Sequence, residues 1–256
     1  MTKELRIASL VPSITELLVA LGLGPRLVAR TGFCIHPQAA LLNVPKVGGT
    51  KDVNMAKLRQ LAPTHVIVNV DENRLATLAA LREFVPHIII THPQGPADNL
   101  GLLAQMETHF DAEPGVSERC AELAAELALA LQRCADKSWP AQRVLYLIWR
   151  EPWMTIARDT YIARMLVAVG WQSWPALNGG ESGAARYPQL LGDEAWLAQI
   201  DRVLLSSEPY RFDASHLGQA QALCPQAKVQ LVDGELLSWY GPRAAQGLDY
   251  LRDLAR

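Results

Sequence analysis

The sequence predicts an α/β protein made of two parallel-sheet lobes that are bridged by one long α-helix. Short apolar strands alternate with helical patterns in both halves of the chain, which is typical of βαβ units. A single Ala/Leu/Glu-rich segment separates the halves, and the halves repeat the same order of elements. With 256 residues, the chain has room for two lobes. We therefore expect an N-terminal lobe at 1–113, a linking helix at 114–139 and a C-terminal lobe at 140–256.

The first half begins with a short apolar strand at 5–10. Pro12 and Ser13 then begin a helical pattern that stops at Gly22, because proline suits the first turn of a helix and glycine suits its end. The same alternation of patterns continues along this half. It predicts strands at 27–29, 65–69 and 88–90, and helices at 55–61, 73–84 and 96–110.

The segment that separates the halves has high helix propensity throughout. Glu118, Glu122 and Glu126 repeat at a spacing of four residues along one stripe, while leucines and two cysteines follow another. Pro140 ends the pattern. A helix of about 23 residues would be roughly 34 Å long.

The second half resumes the alternation of strands and helices. Its patterns predict strands at 144–149, 203–206 and 229–232, and helices at 160–169, 194–200, 213–223 and 243–254. In each half, a helix and a buried strand lead into an acidic loop, which contains Glu72 in the first half and Glu208 in the second. We expect both carboxylates to be exposed, one near the tip of each lobe.

Charge and motif content exclude several classes of function. The 24 Lys and Arg residues nearly balance the 26 Asp and Glu residues, and no basic run is present, so we expect no nucleic-acid partner. The sequence contains no phosphate-binding loop, dinucleotide fingerprint, nucleophile elbow or HExxH motif. We therefore expect a binding protein without an intrinsic cofactor rather than an enzyme.

The N-terminal region predicts a chain that does not insert into a membrane. No signal-peptide pattern precedes the first strand, and Pro12, Glu16 and Pro25 interrupt the apolar stretch that follows. As written, the chain is expected to be cytoplasmic and monomeric. It would be periplasmic if a signal peptide had been removed.

One short loop carries the residues with the most reactive chemistry. Cys34 and His36 form a Cys-x-His pair that could supply sulfur and nitrogen to a soft metal. A structural zinc site needs four such ligands, and no second pair lies nearby in the sequence. The alternative is a rigid loop that ends at Pro37, with no metal bound.

Aromatic residues are distributed unevenly along the chain. All seven tryptophans lie at position 139 or later, whereas five of the six histidines lie at 109 or earlier. Several rings of the second half stand in loops beside proline or arginine, where large rigid side chains often line ligand sites. A core position remains the alternative for any single ring. The rings of this cluster are Tyr146, Trp149, Trp153, Tyr161, Tyr187, Tyr210, Trp239 and Tyr240.

Short segments over nearly the whole chain, taken together, resemble a known family. Those of the first half are Arg6-Ile-Ala-Ser-Leu-Val-Pro-Ser-Ile-Thr-Glu16, Phe33-Cys-Ile-His-Pro37, Val47-Gly-Gly-Thr-Lys51 and Asp71-Glu-Asn-Arg74. Those of the second half are Trp149-Arg-Glu-Pro-Trp-Met154, Asp159-Thr-Tyr161, Arg186-Tyr-Pro188 and Ser206-Ser-Glu-Pro-Tyr210. The chain is similar to the class III, helical-backbone substrate-binding proteins of ABC importers, and within them to the cobalamin-binding branch.

The resemblance implies a small-molecule metal chelate, such as cobalamin, held between the lobes and delivered to an ABC permease. Glu72 and Glu208 are then the residues that dock on the permease. Ferric-siderophore and haem binders share this fold, and a cytoplasmic corrinoid-related enzyme or sensor is a further alternative. The expected ligand-binding residues are Phe33, Cys34, His36, Gly49, Thr50, Asn69, Trp149, Trp153, Tyr161, Arg186, Tyr187, Tyr210 and Trp239.

Overall fold

The computed structural model describes residues 4–256, which form two compact units. Unit 1 contains the chain up to Pro93 together with Leu100–Ala125 and Tyr240–Pro242. Unit 2 contains Gln94–Asn99, Glu126–Trp239 and Arg243–Arg256. The chain therefore passes between the units more often than a simple division at 113 and 140 implies.

Unit 1 is built on a four-stranded parallel sheet. Its strands lie in the order β2-β1-β3-β4, so the chain starts in the middle of the sheet and extends to both sides. The residues of β1 and nearly all of those of β3 are buried, which matches their continuous apolar runs. The strands are β1 (Ile7–Ser9), β2 (Leu27–Arg30), β3 (His65–Asn69) and β4 (His87–Thr91).

Helices cover this sheet and connect its strands. Helix α1 starts with a proline, which needs no hydrogen bond to its nitrogen at that position, and it buries an apolar face. The helices before the long helix are α1 (Pro12–Ala20), α2 (Gln38–Leu41), α3 (Met55–Gln60), α4 (Leu75–Leu81) and α5 (Asn99–Phe110).

Unit 2 repeats the architecture of unit 1. Its four parallel strands lie in the order β6-β5-β7-β8, the same order by position in the chain as in unit 1. The strands are β5 (Gln142–Leu147), β6 (Trp171–Ser173), β7 (Arg202–Ser206) and β8 (Lys228–Val232). The helices are α7 (Tyr161–Val167), α8 (Leu217–Leu223), α9 (Gly234–Ser238) and α10 (Arg243–Leu254).

The predicted long helix is α6 (Val116–Ala135), a continuous helix of 20 residues. Its first half is assigned to unit 1 and its second half to unit 2. The predicted fold class, with two parallel-sheet α/β lobes and one long α-helix, is confirmed. Within the described residues, no helix is both long enough and apolar enough to cross a membrane.

Three short elements were not predicted, and one was predicted as the wrong type. The strand β6 and the helices α2 and α9 have only three to five residues each, too few to show a period. The predicted helix at 194–200 is a 3-10 helix, Ala195–Gln199.

Candidate functional site

The strand order indicates where a ligand site should form in each unit. In an open parallel sheet, ligands bind beyond the carboxyl ends of the strands, at the point where the strand order changes direction. In unit 1 that point lies between β1 and β3, and in unit 2 it lies between β5 and β7. The loops that follow these four strands contain five of the candidate residues, Glu72, Trp149, Trp153, Glu208 and Tyr210.

In unit 2, the loop after β5 presents an exposed tryptophan. The N–H of Met154 donates to the carbonyl of Trp149 at 3.0 Å, which folds the loop into a tight hairpin. Glu151 within this hairpin has a φ of 64°, a left-handed conformation that few non-glycine residues adopt. The side chain of Trp149 is 40% exposed. Its ring meets Tyr210, from the loop after β7, edge-on at 5.5 Å.

Tyr210 is held in place by a histidine and a carboxylate. Its hydroxyl lies 3.1 Å from Nε2 of His216, and Nδ1 of the same ring lies 2.9 Å from Oδ1 of Asp213. His216 is buried, and the hydroxyl and backbone N–H of Ser215 donate to Asp213, which lowers the pKa of that carboxyl. The chain of contacts therefore fixes the position of the phenol ring beside Trp149.

Sequence reasoning did not identify His216 or Asp213. The available signal was the spacing of a capping box, because Asp213 caps a 3-10 helix in which His216 is the third residue. That spacing predicts a helix start, and it does not indicate that the histidine also reaches a tyrosine at the site.

The second tryptophan of the hairpin has a different environment. Trp153 stacks on Phe212 at 5.9 Å and packs against the buried core of unit 2. Phe212 in turn contacts Tyr210 at 4.7 Å. Trp149, Tyr210, Phe212 and Trp153 thus form one continuous group, which we call the aromatic face, with Trp149 at its exposed end.

In unit 1, the segment between β2 and α3 presents one exposed ring and much backbone. Phe33 is 61% exposed, and a Cβ added at Gly49 would lie 3.3 Å from Cε2 of its ring. Gly48 has a φ of +97°, and a side chain there would collide with the carbonyl of Asp52. Glycine is therefore needed at this turn, whose backbone Phe33 covers.

Arg30 supports the loop that carries Phe33. Its buried guanidinium donates to the carbonyls of Cys34 at 2.9 Å and Leu41 at 3.2 Å. Cys34 is fully buried, its sulfur lies 3.1 Å from Oγ1 of Thr31, and burial raises the pKa of the thiol. His36 is half-buried on the same loop. Among residues 4–256, no group of three or more His, Cys, Asp or Glu side chains could hold a metal ion.

Asn73 connects the loops around the switch point of unit 1. Its side-chain amide donates to the carbonyls of Leu10 at 3.2 Å and Thr50 at 2.9 Å, and its oxygen accepts the N–H of Asn69 at 2.9 Å. The side-chain oxygen of Asn69 accepts the N–H groups of Asp71 and Glu72. Thr50 and Asn69 are thus brought together with Phe33 and Gly49 at one edge of the sheet.

Four predicted ligand residues of unit 2 lie outside the aromatic face. Tyr161 is buried, and its hydroxyl accepts from Asn99 at 3.2 Å. Arg186 is almost fully buried and donates to the carbonyl of Gly180 at 2.6 Å, while Tyr187 beside it is half-buried. Trp239 is buried and donates its indole N–H to Glu208 at 2.8 Å.

The expectation of two exposed carboxylates at the lobe tips is wrong. Glu72 is half-buried, and Glu208 is more strongly enclosed, with the hydroxyl of Ser238 and the indole of Trp239 both donating to its Oε1. Burial raises the pKa of Glu208. The reason for the error is that the donors lie 30 and 31 residues away in the sequence, on a segment that folds back over the loop.

The fold defines a class of protein, an α/β protein of two similar units that are each built on a four-stranded parallel sheet. A family model described as periplasmic binding protein matches residues 7–186, more than half of the chain. The chain therefore belongs to the periplasmic binding protein family, a family of substrate-binding proteins.

Individual relatives agree with this assignment. The chain is 25% identical over 211 residues to the vitamin B12-binding protein of Vibrio cholerae serotype O1, covering 82% of this chain and 71% of the relative. The crystal structure of the periplasmic vitamin B12 binding protein BtuF of Vibrio cholerae superposes with a TM-score of 0.78 at 21% identity, covering 97% of this chain and 96% of that one. The periplasmic heme binding protein HutB of the same species gives 0.78 at 22% identity, covering 98% of both chains. The two structural likenesses establish the fold.

Proposed function

We propose that the protein captures a corrinoid of the cobalamin type and delivers it to an ABC importer. The observation that carries this proposal is the aromatic face. Trp149 is exposed at the switch point of unit 2, and Tyr210 beside it is held by His216 and Asp213. A rigid, exposed aromatic surface suits a large, flat ligand, because little conformational freedom is lost when the ligand stacks on it.

Unit 1 offers both apolar and polar groups to a ligand. Phe33 and the glycine turn beneath it offer apolar area, and Asn73 holds the neighbouring loops at fixed positions. A corrinoid carries an apolar ring system surrounded by amide groups, so it needs both kinds of surface. The identity to vitamin B12-binding proteins supports a corrinoid over other chelates.

The ligand is tested by calorimetric titration with cyanocobalamin, dicyanocobinamide, haemin and ferrichrome. We expect cyanocobalamin or the cobinamide to bind with a Kd in the micromolar range or tighter, corresponding to about −8 kcal/mol or better. Tryptophan fluorescence should fall on binding, because Trp149 lies in the proposed contact surface. Binding of haemin or ferrichrome, without binding of either corrinoid, would transfer the proposal to that class of chelate.

Delivery to an importer requires a surface of this protein that docks on the permease. Glu72 remains the proposed docking residue of unit 1. Glu208 is a weaker candidate in unit 2, because docking through it would compete with its hydrogen bonds to Ser238 and Trp239. The test is the ATPase rate of the cognate permease complex in proteoliposomes. Wild type should stimulate it and Glu72→Lys should not, while Glu83→Lys, at an exposed acid of the same unit that pairs with Arg59, should behave as wild type.

The hydrogen bonds that Glu208 accepts from Ser238 and Trp239 also favour a second candidate function, because they occupy a carboxylate that docking would need. This second candidate is a corrinoid carrier or sensor that does not dock on a permease. This candidate predicts the same ligand binding but no stimulation of the ATPase by the wild-type protein. The two candidates share the proposed ligand surface and differ only in the partner.

A further inference from the structure

Helix α1 begins at the switch point of unit 1 with backbone donors that the helix itself cannot satisfy. The first three N–H positions of a helix have no intrahelical acceptor. Here the first is Pro12, which has no N–H, so the donors in question belong to Ser13 and Ile14. The residue before the helix is Val11, whose apolar side chain supplies no cap, and the first turn contains no acidic residue.

A buried side-chain hydroxyl lies at the same end of this helix. Ser13 is only 3% exposed, and its Oγ makes no hydrogen bond within the described part of the chain. Because Cα–Cβ bonds tilt toward the start of a helix, the Cβ of Ser13, which carries this hydroxyl, leans toward the end where the two N–H groups lie. The serine therefore adds a third unused donor at the start of α1.

The neighbouring hydroxyl groups of Ser9 and Thr15, in contrast, have hydrogen-bond partners. Oγ1 of Thr15 donates to Oγ of Ser9 at 2.7 Å and lies 2.9 Å from the carbonyl of Val11. Oγ of Ser9 donates to the same carbonyl at 3.1 Å. These two side chains form a closed local network, which leaves Ser13 as the hydroxyl that can bind a further group.

The local electrostatics favour an acceptor with negative charge. The start of a helix carries a partial positive charge from its aligned peptide dipoles. Arg30 is paired with Ser9 across adjacent strands, and its buried guanidinium is hydrogen-bonded to carbonyl groups and to no carboxylate of the described residues. A buried donor without an acceptor is unfavourable, so an oxygen that accepts from these groups gains more here than at the protein surface.

We propose that the start of α1, with the hydroxyl of Ser13 and the N–H groups of Ser13 and Ile14, binds an oxygen acceptor at the periphery of the chelate. The acceptor is an amide carbonyl in a corrinoid or a carboxylate in a haem. Both groups present an oxygen that can accept hydrogen bonds from the same donors. This inference rests on the proposed function in that the occupant is the chelate. It adds that unit 1 recognises a polar substituent, not only the ring system.

The test compares wild type with Ser13→Ala by calorimetric titration with cyanocobalamin and with haemin. Loss of one hydrogen bond should weaken the Kd about three- to tenfold for the probe that binds. Ser173→Ala is the matched control, because Ser173 is also buried with a hydroxyl that makes no hydrogen bond within residues 4–256, but it ends strand β6 away from a helix start. The control should bind as wild type does.

Ser13→Asp gives an independent readout. Its carboxylate would accept from the start of α1 within the chain itself, so binding of the chelate should fall much further than in Ser13→Ala, with a thermal melt as the check that the variant is folded. If Ser13→Asp does not fold, Ser13→Ala still decides the result, since removal of a hydroxyl without a partner should not unfold the protein.

An NMR titration of the ¹⁵N-labelled protein with sodium acetate tests the site without any chelate. Acetate should shift the amide signals of Ser13 and Ile14 in wild type and not in Ser13→Asp. If a chelate binds but Ser13→Ala binds it equally well and the amides do not shift, this inference is overturned and the proposed function stands. If neither chelate binds while acetate shifts the amides, the acceptor site stands and the proposed function fails. If none of the probes has an effect, both are overturned.

Discussion

The two units share a strand order but place opposite chemistry at the same topological position. In unit 1, β1 leads into a helix whose first turn has unused donors. In unit 2, β5 leads into a hairpin that presents Trp149, and the next helix, α7, is capped by its own Thr160, whose hydroxyl accepts from Ala163 at 3.3 Å. After their first strands, one unit therefore offers hydrogen-bond donors, and the other offers aromatic surface.

This difference shows which property each level of structure determines. Strand order fixes where a site forms, because the loops at a switch point are the ones that diverge. The residues of those loops determine what a site binds, so two copies of one architecture can present different chemistry. The predictions below test this division between the units.

The largest expected effect separates the two tryptophans of the unit 2 hairpin. Trp153→Ala should lower the free energy of unfolding by about 3 kcal/mol, because the ring packs on Phe212 and the core. Trp149→Ala should change it by less than about 1 kcal/mol, because the ring is largely at the surface. Urea unfolding of both variants measures this, and equal losses would show that Trp149 is also a core residue.

The next effect concerns ligand affinity. Trp149→Ala should weaken corrinoid binding by about 1–3 kcal/mol, by analogy with bases stacked on aromatic side chains. Trp149→Phe keeps a ring and should retain most of the affinity. Calorimetry with cyanocobalamin provides the values. An unchanged Kd for Trp149→Ala would remove the aromatic face from the site.

A smaller effect, on the pH dependence of stability, concerns the amino-terminal edges of the two sheets. These edges lie at the other end of the strands from the switch-point loops. Strand β3 begins with His65, which stacks on His87 at 4.5 Å, whereas β7 begins with Arg202 over the ring of Trp171. Burial, His87 and His109 lower the pKa of His65 from 6.5 to about 4. The unfolded chain therefore takes up a proton between pH 6.5 and 4 that the folded chain does not.

Stability should accordingly fall as the pH decreases through this window, by about 1–2 kcal/mol after allowance for solvent screening of a half-buried group. Urea unfolding at pH 7.5 and pH 4.5 measures the loss. His65→Gln should reduce it, while Arg202→Gln should leave the pH dependence unchanged. An identical pH dependence in wild type and His65→Gln would assign the acid sensitivity to other groups.

The smallest effect concerns Glu208. Because burial raises the pKa of its carboxyl, the charged form opposes folding, and stability is lost as the pH rises above the ordinary glutamate value. Glu208→Gln keeps an oxygen that accepts from Ser238 and Trp239, so it should be slightly more stable than wild type at pH 7 and equal to it below about pH 4. Thermal melts at the two pH values check this. Glu151→Gln, at an exposed position, should show no such gain, and a destabilised Glu208→Gln at pH 7 would contradict the account.

The sequence was most informative where the pattern was continuous and local. The strand predicted at 65–69 has exactly those bounds, because its apolar run is buried on both faces. Strand β6 was missed, since three residues show no period. At the site, Trp149 and Tyr210 were chosen from their loop context, but His216 was not, because its contact with Tyr210 depends on the tertiary fold. The enclosure of Glu208 by a distant segment was equally invisible in the local pattern.

Hydrogen exchange with and without cyanocobalamin tests the central claim most directly. We expect the ligand to slow exchange at 148–154 and 207–212 in unit 2, and at 10–15 in unit 1, while exchange at the amino-terminal edges of both sheets is unchanged. Slower exchange confined to the amino-terminal edges, or no change at any of the three segments under conditions where calorimetry shows binding, would contradict it.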